Sequence, residues 1–162
     1  MDNSSNQMAD NCLFCRKDVQ TRSFASSEGF CAIYNIAPIL PGHSLVIPLK
    51  HFRSLFDLSD EELGEMMIFA RKVTSVLEVV FGCKGFDWSL QDGIAAGQTV
   101  PHLHLHIIPR RTGDMPGNEE WYSKILPNEK FLLDSQSRER LNENSYMEIT
   151  EKLIEASKSG KI

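Results

Sequence analysis

A run of alternating polar and apolar residues constrains the fold of this chain more than any other feature. The run is His102-Leu-His-Leu-His106, followed by Ile107-Ile108, and it holds three of the five histidines in the sequence. Successive side chains of a strand point to opposite faces, so the pattern predicts a strand with imidazoles on one face and aliphatic side chains on the other. At a rise of about 3.3 Å per residue, the outer imidazoles would lie roughly 13 Å apart.

The composition is that of an ordinary globular domain. The chain has 162 residues, of which 41% are hydrophobic and 24% charged, and its formal net charge is -5. Because phosphate tracking needs clustered cations, an acidic chain without a basic run is not expected to bind nucleic acid. The polar residues 1–10 carry no apolar signal segment, and no apolar stretch is long enough for a membrane span, so we expect a cytoplasmic protein without membrane contact.

Turn and capping signals predict further strands and two helices. Pro41-Gly42 is a turn signal that favours a hairpin, and the Ser59-Asp-Glu-Glu62 capping box opens a long amphipathic pattern. The predicted elements are strands at Phe30–Tyr34, Ser44–Pro48 and 86–90, a helix from Ser59 to near Gly82, and a final helix opened by a capping box at 145–148. This order favours an α+β fold with an antiparallel sheet.

The histidine row points to nucleophilic chemistry. A neutral imidazole is a competent nucleophile when an acceptor holds its second nitrogen, and His104 is the central member of the row. Attack at phosphorus would give a phosphoramidate from which histidine leaves easily. His106 and the distant His43 could donate to phosphoryl or leaving-group oxygens, and Gln98 could stabilise developing charge without adding a proton.

The four cysteines fall into two groups. Cys31 and Cys83 lie within apolar stretches and are expected to be small core residues. Cys12 and Cys15 are three positions apart, so their thiols could bind one metal ion. From spacing alone, a redox-active pair and an inert pair remain equally open.

Together these residues resemble the histidine triad (HIT) superfamily, whose signature is the alternation of histidines and apolar residues. The resemblance runs from Phe30 to about Arg110. It includes Asn35, Pro41-Gly42-His43, the strand at 45–48 and the segment at 96–100 that precedes the triad. The segment 90–93, Pro109-Arg110 after the triad and Trp121-Tyr122 resemble the fragile-histidine-triad branch, which hydrolyses dinucleoside polyphosphates.

The resemblance implies a HIT-like α+β fold, a hydrolase that releases AMP, and a homodimer whose sheets join. It makes His104 the nucleophile that takes a nucleoside monophosphate. It also implies that His106 and His43 contact phosphate oxygens and take part in proton transfer. Gln98 would contact the transferred phosphate, Gln91 the polyphosphate, and Asn35 the ribose hydroxyls. Whether Mg²⁺ accompanies the substrate is left open.

The resemblance also implies a structural zinc site of the kind seen in bacterial-looking members of the family. The cysteine pair would be joined there by His51 and by the first histidine of the triad. The implied ligands are Cys12, Cys15, His51 and His102, a chemically sensible tetrahedral set.

The expected organisation is a disordered leader over 1–10, a HIT domain over 11–118, and an extension over 119–162 whose helix packs on the same domain. One alternative is a purine nucleoside phosphoramidase of the AMP-lysine type, although those relatives usually have a Gly-Gly-Arg run and a short tail. A nucleotidyltransferase is disfavoured because that branch commonly has glutamine in place of the third histidine. A nucleotide-binding signalling module with incidental turnover also remains open.

Overall fold

A computed structural model describes residues 12–114 and 138–160 and contains a five-stranded antiparallel sheet. The strands are β1 (Ala25–Ser26), β2 (Phe30–Tyr34), β3 (Ser44–Pro48), β4 (Gly85–Ser89) and β5 (Leu105–Arg110), in the order β1-β2-β3-β5-β4. The predicted leader, Trp121-Tyr122 and the predicted boundary between 118 and 119 lie outside the described residues.

Three α-helices accompany the sheet in the described part of the chain. They are α1 (Lys17–Gln20), α2 (Asp60–Phe81) and α3 (Glu143–Ser159), and short 3₁₀ turns span Leu13–Cys15, Leu55–Asp57 and Ile94–Ala96. The predicted α+β fold with one long helix and a C-terminal helix is confirmed. None of the helices among the described residues is both long and apolar enough to cross a membrane.

Helix α2 begins and ends where the sequence predicts. The Ser59 hydroxyl accepts from the Glu62 backbone N–H at 3.2 Å, and the Glu62 carboxylate accepts from the Ser59 N–H at 2.8 Å. This capping box satisfies backbone donors that the first turn leaves open. The helix ends at Gly82, whose φ of 64° is the left-handed conformation that glycine adopts most readily.

Helix α3 begins earlier than the sequence pattern predicts. Its N-cap is Asn142, whose side-chain oxygen accepts from the Ser145 N–H at 2.9 Å. The prediction of a capping box at 145–148 was wrong, because Ser145 already lies within the first turn. Tyr146, Thr150 and Leu153 of α3 are buried, and the helix packs against α2.

The register of the sheet separates a structural face from a face that carries the candidate site. Ala32, Val46 and Leu105 are aligned across the sheet and belong to the main core, which includes residues of α2 and α3. The next row, Ile33, Leu45 and His106, lies on the opposite face. Because α2 and α3 cover the first face, the imidazole of His106 lies on the face opposite these two helices.

The strand predicted for the histidine row is only partly present. The alternation is confirmed, since Leu103, Leu105 and Ile107 join the main core, but β5 begins at Leu105 and leaves His102 and His104 before it. The reason is that the backbone before Leu105 forms a hydrogen bond outside the sheet. The Leu103 N–H donates to the Phe52 carbonyl at 2.7 Å instead of to a neighbouring strand.

The turn at Gly42 brings the end of α2, β5 and the hairpin together. Gly42 has a φ of 94°, and a Cβ at this position would lie 2.5 Å from Pro109 Cγ and 3.0 Å from Phe81 Cδ2. His43 follows immediately, so this close approach also fixes where the His43 side chain starts.

We therefore expect Gly42→Ala to lower the free energy of unfolding by about 2 kcal/mol, through left-handed strain and overpacking. Chemical denaturation would measure the change. The matched control is Gly64→Ala in α2, where an added Cβ meets no atom within 4 Å. Since Gly64 is exposed on a helix, its replacement should raise stability by about 0.5–1 kcal/mol. Equal effects of the two substitutions would contradict this account.

Candidate active site and metal cluster

Four histidines converge on the sheet face opposite α2. All four are fully buried, with no exposed surface, and three of them form the row that dominates the sequence. They are His43, His102, His104 and His106. Burial of so many imidazoles requires hydrogen-bond partners, and those partners fix which ring nitrogen carries the proton.

The tautomer of His104 is set by the backbone. Its Nδ1 lies 2.7 Å from the carbonyl oxygen of His102. A carbonyl can only accept, so the Nδ1 atom of His104 carries the proton and donates it to this bond. The neutral ring therefore keeps its lone pair on Nε2, the form that a nucleophilic imidazole needs.

His43 and His106 form an ordered pair. The Ile39 backbone N–H donates to His43 Nδ1 at 3.2 Å, so a neutral His43 carries its proton on Nε2. His43 Nε2 lies 2.8 Å from His106 Nδ1, which must then accept. His106 consequently carries its own proton on Nε2. The His106 and His104 rings lie edge to face, with centroids 5.0 Å apart.

Asn35 lies at the end of β2, beside this pair. Its side-chain oxygen accepts from the Ala37 N–H at 2.9 Å, and its Nδ2 lies 3.4 Å from His43 Nε2. Because the tautomer derived above makes both of these nitrogens donors, their contact is not a hydrogen bond. The Asn35 amide group is thus held in place with donor capacity left on Nδ2.

The two glutamines occupy different positions. Gln98 accepts from the Gly93 N–H and donates to the Arg53 carbonyl, both at 2.9 Å, so it ties two loops together. Gln91 donates to the Ser89 hydroxyl at 3.3 Å, and Ser89 is aligned with His106 in the sheet. The buried Oε1 of Gln91 has no hydrogen-bond partner among the described residues.

A second cluster adjoins the histidine row through His102. The thiols of Cys12 and Cys15 and the imidazoles of His51 and His102 each offer one atom, and these four atoms lie within 4.8 Å of one another. Cys15 Sγ lies 3.2 Å from His51 Nδ1, and Cys12 Sγ lies 3.4 Å from His102 Nδ1. Tetrahedral zinc with ordinary bond lengths places sulfur and nitrogen ligands about 3.5 Å apart, so the donor set fits zinc.

The protonation of His102 suits a metal ligand. Its Nε2–H donates to the Pro48 carbonyl at 3.0 Å, which leaves the Nδ1 lone pair directed at the two thiols. Burial lowers the pKa of His102 to about 4, so the ring is neutral near pH 7. Burial and, to a smaller extent, a hydrogen bond with Cys12 raise the pKa of Cys15 to about 12. A bound cation would reverse the latter shift by stabilising the thiolate.

A cavity of about 280 Å³ with a mostly apolar lining lies beside Asn35, and the sequence pattern did not predict it. Ile33 and Leu45 line it from the sheet, and Leu13 and Phe14 line it from the turn between the two cysteines. In the sequence, Leu13 and Phe14 are visible only as the spacer of the cysteine pair. Two large apolar residues enclosed by metal-ligand candidates were the signal that could have revealed the cavity. Cys31 and Cys83 are both buried, as predicted for small core residues.

Comparison with known proteins identifies the fold family. The model of the HIT domain matches residues 16–113, a segment that contains β1 to β5 and the four buried histidines. The chain belongs to the HIT domain family. The predicted resemblance to this family is thereby confirmed.

Two relatives within the HIT family share about two fifths of their aligned residues with this chain. One is a bis(5'-nucleosyl)-tetraphosphatase (asymmetrical) of Schizosaccharomyces pombe, 42% identical over 74% of this chain and 65% of its own length. The other is a bis(5'-adenosyl)-triphosphatase of Dictyostelium discoideum, 40% identical over 65% of this chain and 71% of its own length. The chain thus matches about two thirds of the length of each.

A solved HIT structure is similar over nearly the whole chain. It is a zinc-bound histidine triad family protein from Mycobacterium smegmatis, 26% identical, with a TM-score of 0.68. The match covers 93% of this chain and 96% of that protein.

The hydrogen bonds described above predict an unequal distribution of protons among the histidines. We expect the neutral form of His104 to carry its proton on Nδ1, and the neutral forms of His43 and His106 to carry theirs on Nε2. Long-range ¹H–¹⁵N correlation spectra of ¹⁵N-histidine-labelled protein distinguish the two tautomers. An Nε2-protonated His104 would contradict the assignment, because its nucleophilic nitrogen would then be blocked.

Proposed function

We propose that this HIT protein hydrolyses dinucleoside polyphosphates at the α-phosphorus, through a nucleotidyl intermediate on His104, and releases AMP. The observation that carries the proposal is the hydrogen bond from His104 Nδ1 to the His102 carbonyl, which leaves Nε2 as the nucleophilic atom. The names of the Schizosaccharomyces and Dictyostelium relatives support this substrate class.

In the first step, the Nε2 lone pair of His104 attacks the α-phosphorus. A P–N bond forms as the bridging P–O bond breaks, and its electron pair leaves with the outgoing nucleoside polyphosphate. Negative charge grows on the phosphoryl oxygens, where the Nε2–H of His106 is suited to donate. His43 supports that donor, because its own Nε2–H holds His106 Nδ1 as an acceptor.

In the second step, water attacks the nucleotidyl-histidine. The P–N bond breaks, the electron pair returns to His104 Nε2, and the proton lost by the water passes to solvent. Imidazole is a good leaving group, so this step needs no further nucleophile. The protein is regenerated with the tautomers of His104 and His106 unchanged.

The remaining contacts to substrate follow from position. Asn35 would donate from Nδ2 to a ribose hydroxyl, with the base in the apolar cavity beside it. Gln91 would donate from Nε2 to the polyphosphate, in exchange for its hydrogen bond to the Ser89 hydroxyl. Gln98 would contact the transferred phosphate, which requires exchanging one of its loop hydrogen bonds.

The decisive experiment compares wild type with His104→Ala on three substrates. We expect the wild type to turn over diadenosine triphosphate or diadenosine tetraphosphate faster than an AMP-phosphoramidate. Loss of the nucleophile should lower kcat by at least about 1000-fold on every substrate. Chromatography of the nucleotide products measures both rates.

The exposed Phe56 provides the control, since Phe56→Ala removes a side chain that is 95% exposed and should leave all rates unchanged. A fully active His104→Ala protein would overturn the mechanism. Preference for the phosphoramidate would instead assign the protein to P–N bond cleavage. Slow turnover with submicromolar binding would favour a signalling module.

We also propose that Cys12, Cys15, His51 and His102 hold one structural zinc ion. The four ligand atoms form a closed set, and the Pro48 carbonyl orients His102 in the way that outer hydrogen bonds orient metal-bound histidines. The zinc-bound Mycobacterium smegmatis neighbour supports the choice of metal. Zinc would stabilise both thiolates and join the turn at Leu13–Cys15 to the sheet.

Protein purified without chelator should contain about one zinc ion per chain by elemental analysis. Replacing both Cys12 and Cys15 by serine should remove the ion and lower thermal stability. Cys83→Ser is the matched control, because Cys83 is buried elsewhere and should not alter the metal content. Zinc-free wild type with both thiols freely alkylatable would refute the site.

We further propose a cytoplasmic homodimer whose two sheets join at β4. This strand forms one edge of the sheet, and no strand pairs with its outer side among the described residues. An open edge of five residues is suited to antiparallel pairing with a second copy. Light scattering should give twice the chain mass of 18.3 kDa, and a single-chain mass at tens of micromolar protein would refute dimerisation.

A further inference from the structure

Phe14 connects the metal-ligand cluster to the candidate nucleophile. It lies in the 3₁₀ turn between Cys12 and Cys15 and is only 5% exposed. Its ring meets the His102 ring edge to face at a centroid distance of 5.7 Å, and the His104 ring at 5.3 Å. One side chain therefore contacts both a metal-ligand candidate and the residue proposed to attack phosphorus.

The same turn forms part of the wall of the cavity beside Asn35. Leu13 and Phe14 line the cavity together with Ile33 and Leu45 of the sheet. The buried part of this wall packs on the sheet, since Cys12 and Phe14 share an apolar cluster with Ile33 and Leu45. A displacement of the turn would consequently move one part of the cavity lining.

A turn this short does not hold its own conformation. A single 3₁₀ turn fixes several backbone angles for few hydrogen bonds, so its geometry depends on its anchors. Here the anchors include the cysteines at its two ends, whose thiols reach His51 and His102. Occupancy of the cluster by a metal would therefore hold both ends of the turn.

His102 provides a second connection. Its Nδ1 faces the thiols, its Nε2–H is held by Pro48, and its backbone carbonyl accepts the Nδ1–H of His104. A displacement of His102 would thus weaken the bond that keeps the proton of His104 away from Nε2. The Phe14 ring and the His102 carbonyl thus both contact the imidazole of His104.

We propose that Phe14 is a positioning residue through which metal binding at Cys12, Cys15, His51 and His102 sets nucleotide affinity and the orientation of His104. The cluster is then more than a structural support, because its loading reaches the substrate cavity. The inference rests on the proposed function for the identity of the ligand, a nucleoside monophosphate, and on its own contacts for the coupling.

A thermodynamic cycle tests the coupling directly. AMP binding is measured by calorimetry on zinc-loaded and chelator-stripped protein, for wild type and for Phe14→Ala. We expect stripping to weaken AMP binding about 10-fold in the wild type and less than about 2-fold in Phe14→Ala. Coupling through Phe14 predicts this loss of response, whereas a purely structural metal would weaken both proteins equally.

A readout without nucleotide follows the His104 ring itself. Stripping zinc from the wild type should shift the His104 ring ¹⁵N signals, and Phe14→Ala should shift them even with zinc bound. Phe14→Tyr keeps the aromatic edge and should preserve both the signals and the AMP affinity. Val19→Ala alters the cavity from α1, outside the metal turn, so it should weaken AMP binding while the His104 signals stay unchanged.

Unchanged AMP affinity and unchanged His104 signals in stripped wild type would overturn the proposal, as would equal losses in wild type and Phe14→Ala. Phe14→Tyr also covers the case in which Phe14→Ala fails to fold, because loss of coupling in the tyrosine variant would count against the ring contact. Zinc-loaded wild type that binds no AMP would instead refute the proposed function. The His104 signals would then still decide the coupling.

Discussion

The two-residue alternation across β5 is the constraint on which the rest of this structure depends. Leu103, Leu105 and Ile107 are buried in the core beneath α2, and burying each such side chain is worth about 1.5–3 kcal/mol. That burial forces His104 and His106 onto the other face. A slip of one residue would place imidazoles in the apolar core and leucines at the site, so the register is strongly specified.

The histidines themselves acquire different roles from their surroundings. The tautomers of His104 and His43 follow from a backbone carbonyl and a backbone N–H respectively. His102 differs from the other two histidines of the row because its Nε2–H donates to the Pro48 carbonyl. This hydrogen bond directs its Nδ1 towards the thiols. The three histidines of the row thus differ because their partners differ: main-chain carbonyls for His102 and His104, and the His43 side chain for His106.

Much of the fold could be predicted from the sequence, because the deciding signals are local. The capping box at Ser59 and the left-handed Gly82 lie next to the helix ends that they define, and the hairpin turn adjoins its strands. The prediction failed for α3, where Asn142 competes with Ser145 as a cap and periodicity does not distinguish them. It failed again at His102 and His104, whose backbone is drawn away from the strand by the distant Phe52.

The site was predictable in part for the same reason. The histidine alternation is visible in five residues, whereas the contact between Phe14 and His104 joins residues 90 positions apart. No spacing rule links Phe14 to His104, and only the packing of the N-terminal turn on the sheet brings them together. Long-range contacts of this kind are set by tertiary structure, and a single sequence does not contain them as a pattern.

The bond from the Ile39 N–H to His43 has a consequence for how the site tolerates change. A main-chain donor persists through almost every substitution at its own position, because only proline lacks it. The orientation of the His43–His106 pair is therefore independent of the identity of the side chain at position 39. A proton arrangement that is fixed by a backbone N–H is therefore retained under substitutions that would remove one fixed by a side-chain carboxylate.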